Sequence, residues 1–216
     1  MAKGIGAKAI DFVKDRVKRH YIKRHGLEAL SLLNEVSRET GRPLWLYYGT
    51  LLGAYREHGF IKHDVDIDVS MYASDFDASF ERALYDRGFK ILRFFRRVDA
   101  THPEDRRTTE LTLKFKHVQI DVFLQFQEQG RTFCYLWTDD DKPRNVWKGR
   151  LDFFEPSGFK EIDFLGVRAF VPEKTREFLE DKYGQDFMTP MPGWQPKKKS
   201  YLPTGECYGE VIGGWI

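Results

Sequence analysis

Hydrophobic and polar positions repeat along this chain with two different periods. Apolar residues recur every three or four positions in five stretches, which predicts amphipathic helices. Elsewhere they alternate with polar residues or form short runs, which predicts strands with one or both faces buried. The predicted helices cover residues 1–26, 27–40, 50–58, 74–88 and 172–183, and the predicted strands cover 44–48, 64–69, 89–95, 110–116 and 118–124, with a hairpin at 160–171. This mixture predicts an α+β fold.

Capping residues mark the ends of several predicted helices. We expect N-caps at Thr50 and Ser74, whose hydroxyls can accept hydrogen bonds from free backbone amides. We expect C-terminal stops at Gly59, Gly88 and Gly184, because glycine adopts the left-handed conformation that ends many helices.

An acidic segment provides the first chemical signal. Asp64, Asp66 and Asp68 alternate with aliphatic residues, so a strand would place the three carboxylates on one face. Carboxylates this close repel one another unless a cation neutralises them. Oxygen ligands without cysteine or histidine suit a hard ion. We therefore predict that Asp66 and Asp68 bind Mg²⁺ or Mn²⁺.

A further acid, Asp121, interrupts an otherwise apolar strand. The predicted strand 118–124 places its aliphatic residues on one face and Asp121 on the other. Burying this acid is costly without a partner. A neighbouring strand with Asp66 and Asp68 would supply one, and Asp121 would then complete a metal-binding trio. The alternative is an edge strand whose Asp121 faces water.

Two stretches could contact phosphate. Gly49 and Thr50 bring bare backbone amides and a hydroxyl close to a helix start, where phosphates bind readily. Lys198 lies within the basic run Lys197–Lys199, which either contacts phosphate or stays solvated.

Several of these residues also carry a family resemblance. The strings 49–56, 59–61 and 64–68, with the Tyr-Gly element at 183–190, are similar to the signature of the LicD family. This is the phosphocholine-transferase and fukutin-related group of the nucleotidyltransferase-fold superfamily. The resemblance spans roughly residues 45–190. It implies a nucleotidyltransferase-like mixed β-sheet flanked by helices, with Asp66, Asp68 and Asp121 as catalytic carboxylates.

The resemblance also implies a reaction. A metal-dependent phosphotransferase would move phosphocholine, phosphoethanolamine or a phospho-polyol from a nucleoside-diphosphate donor, commonly CDP-linked, and release CMP. The acceptor would be a sugar hydroxyl of a cell-surface glycan or a lipid-linked sugar. The resemblance gives Arg56 a role in the site, although Arg56 could instead bridge helix and sheet. We place His63 in the donor pocket.

Three other functions use similar residues. A true nucleotidyltransferase would attack the α-phosphate and release pyrophosphate. A non-catalytic nucleotide- or metal-binding module is the second, and the intact acidic trio argues against it. An RNA-directed polymerase-like enzyme is the third, and the net charge of +2 argues against it and against nucleic-acid partners.

Composition limits the organisation and location of the chain. Its 216 residues are enough for one domain, which we assign to 27–216, after a basic helix at 1–26. No signal peptide is evident behind Met1 and no apolar run is long enough to span a bilayer. The two cysteines lack metal-ligand spacing, which favours a reducing, cytoplasmic location.

The N-terminal helix allows two interpretations. Its basic residues and its apolar stripe of Ile10, Val13, Val17 and Tyr21 are typical of helices that lie on anionic lipid. A peripheral position at the inner face of a membrane would follow. The alternative is that the stripe packs against the domain or a partner subunit.

Overall fold

The described residues form four α-helices and eleven strands. The structure is a computed structural model, and it describes residues 5–99, 102–137, 147–154, 158–191, 201–202 and 207–212. The elements follow one another as α1 (Ile5–Thr40), β1 (Trp45–Leu46), α2 (Tyr48–Arg56), β2 (Ile67–Tyr72), α3 (Ala78–Asp86), β3 (Lys90–Asp99), β4 (Thr108–Phe115), β5 (Val118–Glu128), β6 (Arg131–Trp137), β7 (Trp147–Phe154), β8 (Phe159–Phe164), β9 (Val167–Pro172), α4 (Thr175–Tyr183), β10 (Tyr201–Leu202) and β11 (Cys207–Ile212).

The strands build one mixed sheet around β5. On one edge β5 pairs antiparallel with β4, which continues to β3 and β11. On its other edge β5 pairs parallel with β2, which continues to β1, β9 and β8. The C-terminal end of β5 pairs with β6, which continues to β7 and β10. The predicted α+β fold, a mixed sheet flanked by helices, is confirmed.

The N-terminal part of the chain is one helix, so the prediction of two helices meeting at residue 26 is wrong. Helix α1 runs without a break from Ile5 to Thr40. Gly26 lies inside it because the ring of Phe60 packs against its backbone, where an added Cβ would lie 3.1 Å from the ring. Ile22, Leu30 and Leu33 anchor the helix in the core. The division into a helix 1–26 and a domain 27–216 stays a prediction.

Both predicted N-caps are wrong. Helix α2 begins two residues earlier than predicted, with Tyr47 at its N-cap, and this places Thr50 inside the helix. Asp77 caps α3, because its side chain accepts hydrogen bonds from the amides of Ser79 and Phe80. Ser74 lies in a short 3-10 turn before it. Gly88 and Gly184 follow α3 and α4 with positive φ as predicted, whereas after α2 the residue with positive φ is His58 and not the predicted Gly59.

The acidic segment is only partly a strand. Strand β2 begins at Ile67, so Asp68 lies in the sheet, whereas Asp64 and Asp66 lie in the segment that leads to it. The predicted strands around Asp121 are confirmed as the antiparallel pair β4 and β5. None of the helices in the described part of the chain is long and apolar enough to span a membrane.

Candidate functional site

A row of polar side chains crosses the centre of the sheet. Arg93 of β3 is opposite Thr112 of β4, Thr112 is opposite Asp121 of β5, and Asp121 is opposite Asp68 of β2. Residues directly opposite on neighbouring strands point to the same face. The sheet therefore brings Asp68 and Asp121, which are 53 positions apart in sequence, onto adjacent strands with the same orientation.

The start of α2 holds Asp68 in place. The amide of Gly49 donates to Asp68 Oδ2 over 3.0 Å. The backbone amide of Asp68 donates to the hydroxyl of Thr50 over 2.9 Å, and the amide of Tyr47 donates to the carbonyl of Asp68. The groups predicted to contact phosphate, the Gly49 amide and the Thr50 hydroxyl, are thus bonded to Asp68. Thr50 is fully buried.

Glycine at position 49 gives the carboxylates room. A Cβ built there would lie 3.0 Å from Asp64 Oδ2 and 3.4 Å from Asp68 Oδ2. The contact with Asp64 is tighter than most Cβ contacts, so a side chain at position 49 would displace this carboxylate by a few tenths of an ångström, whereas the contact with Asp68 would be at the limit of ordinary packing. Gly49 therefore lets Asp64 and Asp68 approach the same stretch of backbone.

Two hydrogen-bond chains converge on Asp121, and each begins at a cation. On one side Arg93 Nε donates to Thr112 Oγ1 over 2.9 Å, and Thr112 Oγ1 donates to Asp121 Oδ1 over 2.7 Å. On the other side Lys18 Nζ of α1 donates to Gln119 Oε1 over 3.2 Å, and Gln119 Nε2 donates to Asp121 Oδ2 over 3.0 Å. Both carboxylate oxygens of Asp121 are therefore oriented.

The carboxylates raise one another's proton affinity. Burial raises the pKa of Asp66 to about 6, with Asp121 adding to the rise and Lys18 opposing it. Burial raises the pKa of Asp64 to about 7, and Asp66 and Glu57 add to it. The pKa of Asp68 is also raised, first by burial and then by Asp66 and Asp121. The site thus concentrates more negative charge than its surroundings solvate.

Asp121 and its neighbour Glu110 extend this cluster. Burial raises the pKa of Asp121, while the hydrogen bonds from Thr112 and Gln119 oppose the rise. Burial also raises the pKa of Glu110, and Asp121 contributes further. The sequence predicts Glu110 at the start of a strand, and no local pattern there connects it with the site.

The donor set suits a hard cation, although it is not a finished metal site. Within the residues that the structure describes, no group of three or more His, Cys, Asp or Glu side chains is arranged to hold a metal ion. The acids along the cleft offer only oxygen atoms, and burial and mutual repulsion destabilise their ionised forms. A divalent cation would relieve that repulsion. The trio of Asp66, Asp68 and Asp121 as metal ligands stays a prediction.

These acids border a cleft of about 980 Å³. Of the predicted site residues, the described ones that line it are Gly49, Arg56, His63, Asp66, Asp68 and Asp121. Thr50 is absent from this lining because its hydroxyl faces the backbone of β2. Lys198 lies outside the described residues. Most of the predicted set therefore converges on one cavity.

Arg56 makes structural contacts at the edge of this cleft. Its Nη1 donates to the carbonyl of Phe187 over 3.2 Å, and its Nη2 pairs with Glu57 over 2.8 Å. Its buried Nε has no hydrogen-bond partner among the described residues. Among the described residues these contacts join α2 to the turn that follows α4, and not to a strand of the sheet, so the predicted bridge between helix and sheet is not what the structure shows.

Aromatic side chains form another part of the cleft. Tyr48, Phe123, Tyr183 and Phe187 line it, and the rings of Tyr48 and Phe123 lie 4.6 Å apart in an edge-to-face arrangement. Apolar rings beside charged groups are typical of small-molecule sites.

Lys182 of α4 is a buried cation that sequence analysis missed. Its Nζ lies 3.4 Å from the ring centroid of Tyr48 and 4.8 Å from that of Tyr47. Burial lowers the pKa of Lys182 to about 7, while Cys134 and Asp68 oppose the change. No sequence pattern distinguishes Lys182 from the other lysines, because its surroundings come from distant parts of the chain.

Asp68 and Asp121 thus lie on adjacent strands beside an open cleft, as predicted from the sequence. The model of the family described as "LicD/FKTN/FKRP, nucleotidyltransferase domain" matches residues 41–174, more than half of the chain. The chain therefore belongs to this family, as the resemblance implied. The match contains every predicted site residue except Lys198.

Curated relatives agree with this membership. The chain is 25% identical to "Ribitol-5-phosphate transferase FKTN" of Mus musculus over 81% of its length, and 26% identical to the Homo sapiens protein of the same name over 79%. It is 36% identical to an uncharacterized protein of Caenorhabditis elegans over 84%. The alignments cover 36%, 35% and 49% of those proteins, so the chain corresponds to about a third to a half of each.

Proposed function

We propose that this domain is a phosphotransferase that moves a phospho-substituent from a CDP-linked donor to a sugar hydroxyl of a glycan. The observation that carries the proposal is the placement of Asp68 and Asp121 opposite each other on paired parallel strands beside an open cleft. The name of the FKTN relatives favours a phospho-polyol over phosphocholine or phosphoethanolamine as the transferred group. A cytoplasmic location stays a prediction.

In this proposal the acidic wall positions a cation and the donor phosphates. Asp66 and Asp68 would hold Mg²⁺ or Mn²⁺, and Asp121 is the third predicted ligand. A bound divalent cation neutralises phosphate oxygens and the charge that grows on the leaving group. The amide of Gly49 keeps Asp68 in one orientation. Arg56 and His63, which line the same cleft, would bind the donor.

Asp121 would act on the acceptor. The acceptor oxygen forms a bond to the transferred phosphorus, the bond from phosphorus to the CMP oxygen breaks, and the acceptor proton passes to Asp121. Thr112 donates one hydrogen bond to Oδ1 of Asp121, and Gln119 donates one to Oδ2. Each oxygen can accept a second hydrogen bond, so Asp121 keeps lone pairs for this proton. Its raised pKa makes it a stronger base than an exposed carboxylate.

The aromatic side chains would bind the cytosine or the sugar ring. Tyr48, Phe123, Tyr183 and Phe187 line the cleft. Stacking on aromatic side chains contributes about 1–3 kcal/mol per nucleobase. Stacking of this kind accepts any flat ring, so the choice of base would depend on the polar groups around it.

The test supplies CDP-ribitol, CDP-choline and CDP-ethanolamine in turn, with Mg²⁺ and a glycan acceptor, and measures released CMP and pyrophosphate. We expect CMP and a phosphodiester product. Asp68→Asn should lower the rate about a thousandfold or more, because it removes a ligand charge worth several kcal/mol in the transition state. Asp86→Asn is the matched control, since Asp86 is exposed and its ion pair among the described residues is with Arg82 at the surface.

Other products would identify the alternatives. Pyrophosphate release from a nucleoside triphosphate, without CMP from any CDP donor, would show a true nucleotidyltransferase. Nucleotide binding without turnover would show a non-catalytic module.

A further inference from the structure

Helix α1 exposes an apolar stripe to solvent. Ile10, Phe12, Val13 and Val17 are 57%, 62%, 59% and 48% exposed, and they lie within about two turns of one helix. Ile10, Val13 and Val17 lie on the same side because positions three and seven apart share a helix face. The expectation that the stripe packs against the domain is therefore wrong for Ile10, Val13 and Val17 within the described part of the chain, whereas Tyr21 does pack against the core.

The charges of the same helix are sorted between its two faces. Asp11, Asp15 and Lys18 are partly buried, and Lys18 reaches Gln119 of β5. The exposed charged side chains between positions 10 and 24 are all basic: Lys14, Arg16, Lys23 and Arg24. The outer face thus combines aliphatic side chains with positive charge, while both acids of this segment lie toward the domain.

We propose that this outer face of α1 docks on an anionic lipid surface. Apolar side chains would enter the boundary between headgroups and acyl chains, and the four basic side chains would bind anionic headgroups. Charge complementarity favours this partner over a second copy of the chain. Two copies packed through their stripes would bring eight basic side chains together, four from each copy.

The opposite face of α1 contacts the sheet close to the site. Lys18, between the exposed Val17 and the core residue Ile22, donates a hydrogen bond to Gln119, which donates to Asp121. Docking through the stripe would therefore bring this side of the sheet near the lipid, with α1 between them. The docking itself does not depend on the proposed transferase activity.

Cosedimentation of the 216-residue chain with lipid vesicles tests the proposal. We expect binding to vesicles of phosphatidylcholine with phosphatidylglycerol, and little binding to phosphatidylcholine alone. Lys14→Gln with Arg24→Gln should weaken binding about twenty-five-fold, since each basic residue near the surface contributes roughly fivefold. Val13→Asp with Val17→Asp should abolish it, because charged side chains do not enter the acyl region.

Matched variants elsewhere on the surface serve as controls. Lys90→Gln removes an exposed positive charge on β3. Leu165→Asn removes a 52% exposed apolar side chain at a position with φ of 55°, which asparagine tolerates. Both controls should bind vesicles like the wild type, and circular dichroism should show every variant folded.

Three results would overturn the proposal: equal binding of the wild type to neutral and anionic vesicles, absence of binding to either, or equal losses in the control variants. Sedimentation velocity identifies the competing occupant. If the chain does not bind vesicles but forms a dimer that Val13→Asp dissociates, the stripe is the contact surface for a second copy.

Discussion

Asp121 lies between two hydrogen-bonded side chains that each lead to a cation, Arg93 through Thr112 and Lys18 through Gln119. This arrangement fixes the rotamer of the carboxylate and partly offsets the effect of burial on its pKa. A buried acid with two charge-assisted supports is oriented before a ligand arrives, which lowers the cost of reorganisation during a reaction.

If Asp121 accepts the acceptor proton, Asp121→Asn should lower kcat about a hundredfold to ten-thousandfold, the usual contribution of a positioned base. The donor KM should change far less, because the lost interaction strengthens only in the transition state. Steady-state kinetics at several Mg²⁺ and Mn²⁺ concentrations would measure both effects. A defect that vanishes at high metal would limit Asp121 to metal binding, and a fully active variant would place it outside the site.

At the scale of elements, the β4–β5 hairpin is the part that sequence reasoning predicts best. Alternation in 118–124 identifies the face that Asp121 occupies, and the cost of burying a lone acid predicts a neighbouring acid. The parallel pairing of Asp68 with Asp121 confirms that expectation. Predicting this pairing requires only the local periodicity and the energetic cost of a buried acid, and both can be read from the sequence.

The course of α1 and its contact with the site could not be predicted in this way. Gly26 suggests a helix end, and only the packing of Phe60 explains why glycine is needed within the helix. Lys18 and Gln119 are 101 positions apart, so no local pattern connects them. The predicted start of α2 is two residues late for a related reason, since Tyr47 and Tyr48 before Gly49 fit a strand or a helix equally well.

The contact between α1 and β5 predicts an effect of Lys18 on the proposed reaction. Lys18→Met should lower kcat several-fold to about tenfold, because Gln119 loses its anchor and Asp121 loses a nearby positive charge; outer-shell partners typically contribute tenfold or more. Lys18→Arg should restore most of the rate, since arginine keeps the charge and a donor. The measurement is kcat and KM for each variant.

Lys14→Met is the matched control, because Lys14 is exposed one turn earlier on the same helix. It should leave the rate on a soluble acceptor unchanged. An inactive Asp121→Asn together with a fully active Lys18→Met would reject the role of Lys18 while leaving the proposed reaction intact.

At the scale of the whole molecule, the cleft concentrates repulsion that the fold must withstand. The ionised forms of Asp64, Asp66 and Asp68 are disfavoured by burial and by one another. In the unfolded chain the same side chains ionise near their ordinary pKa of about 4. Between that value and their folded values, the native state holds protons that the unfolded state has lost.

Stability without metal should therefore fall as pH rises from about 4 to 7, because a raised carboxyl pKa stabilises the native state only while the proton stays bound. The window follows from the folded values of about 6 for Asp66 and about 7 for Asp64. Urea unfolding at a series of pH values measures this fall. Asp66→Asn should reduce the slope and raise the free energy of unfolding at neutral pH by on the order of 3 kcal/mol, whereas the surface control Asp86→Asn should do neither.

Mg²⁺ should flatten the wild-type profile of stability against pH, since it binds the ionised carboxylates. If the free energy of unfolding of the wild type rises with pH through this window relative to that of Asp66→Asn, the acids are not a repulsive cluster. That result would remove the main physical argument for a cation between them.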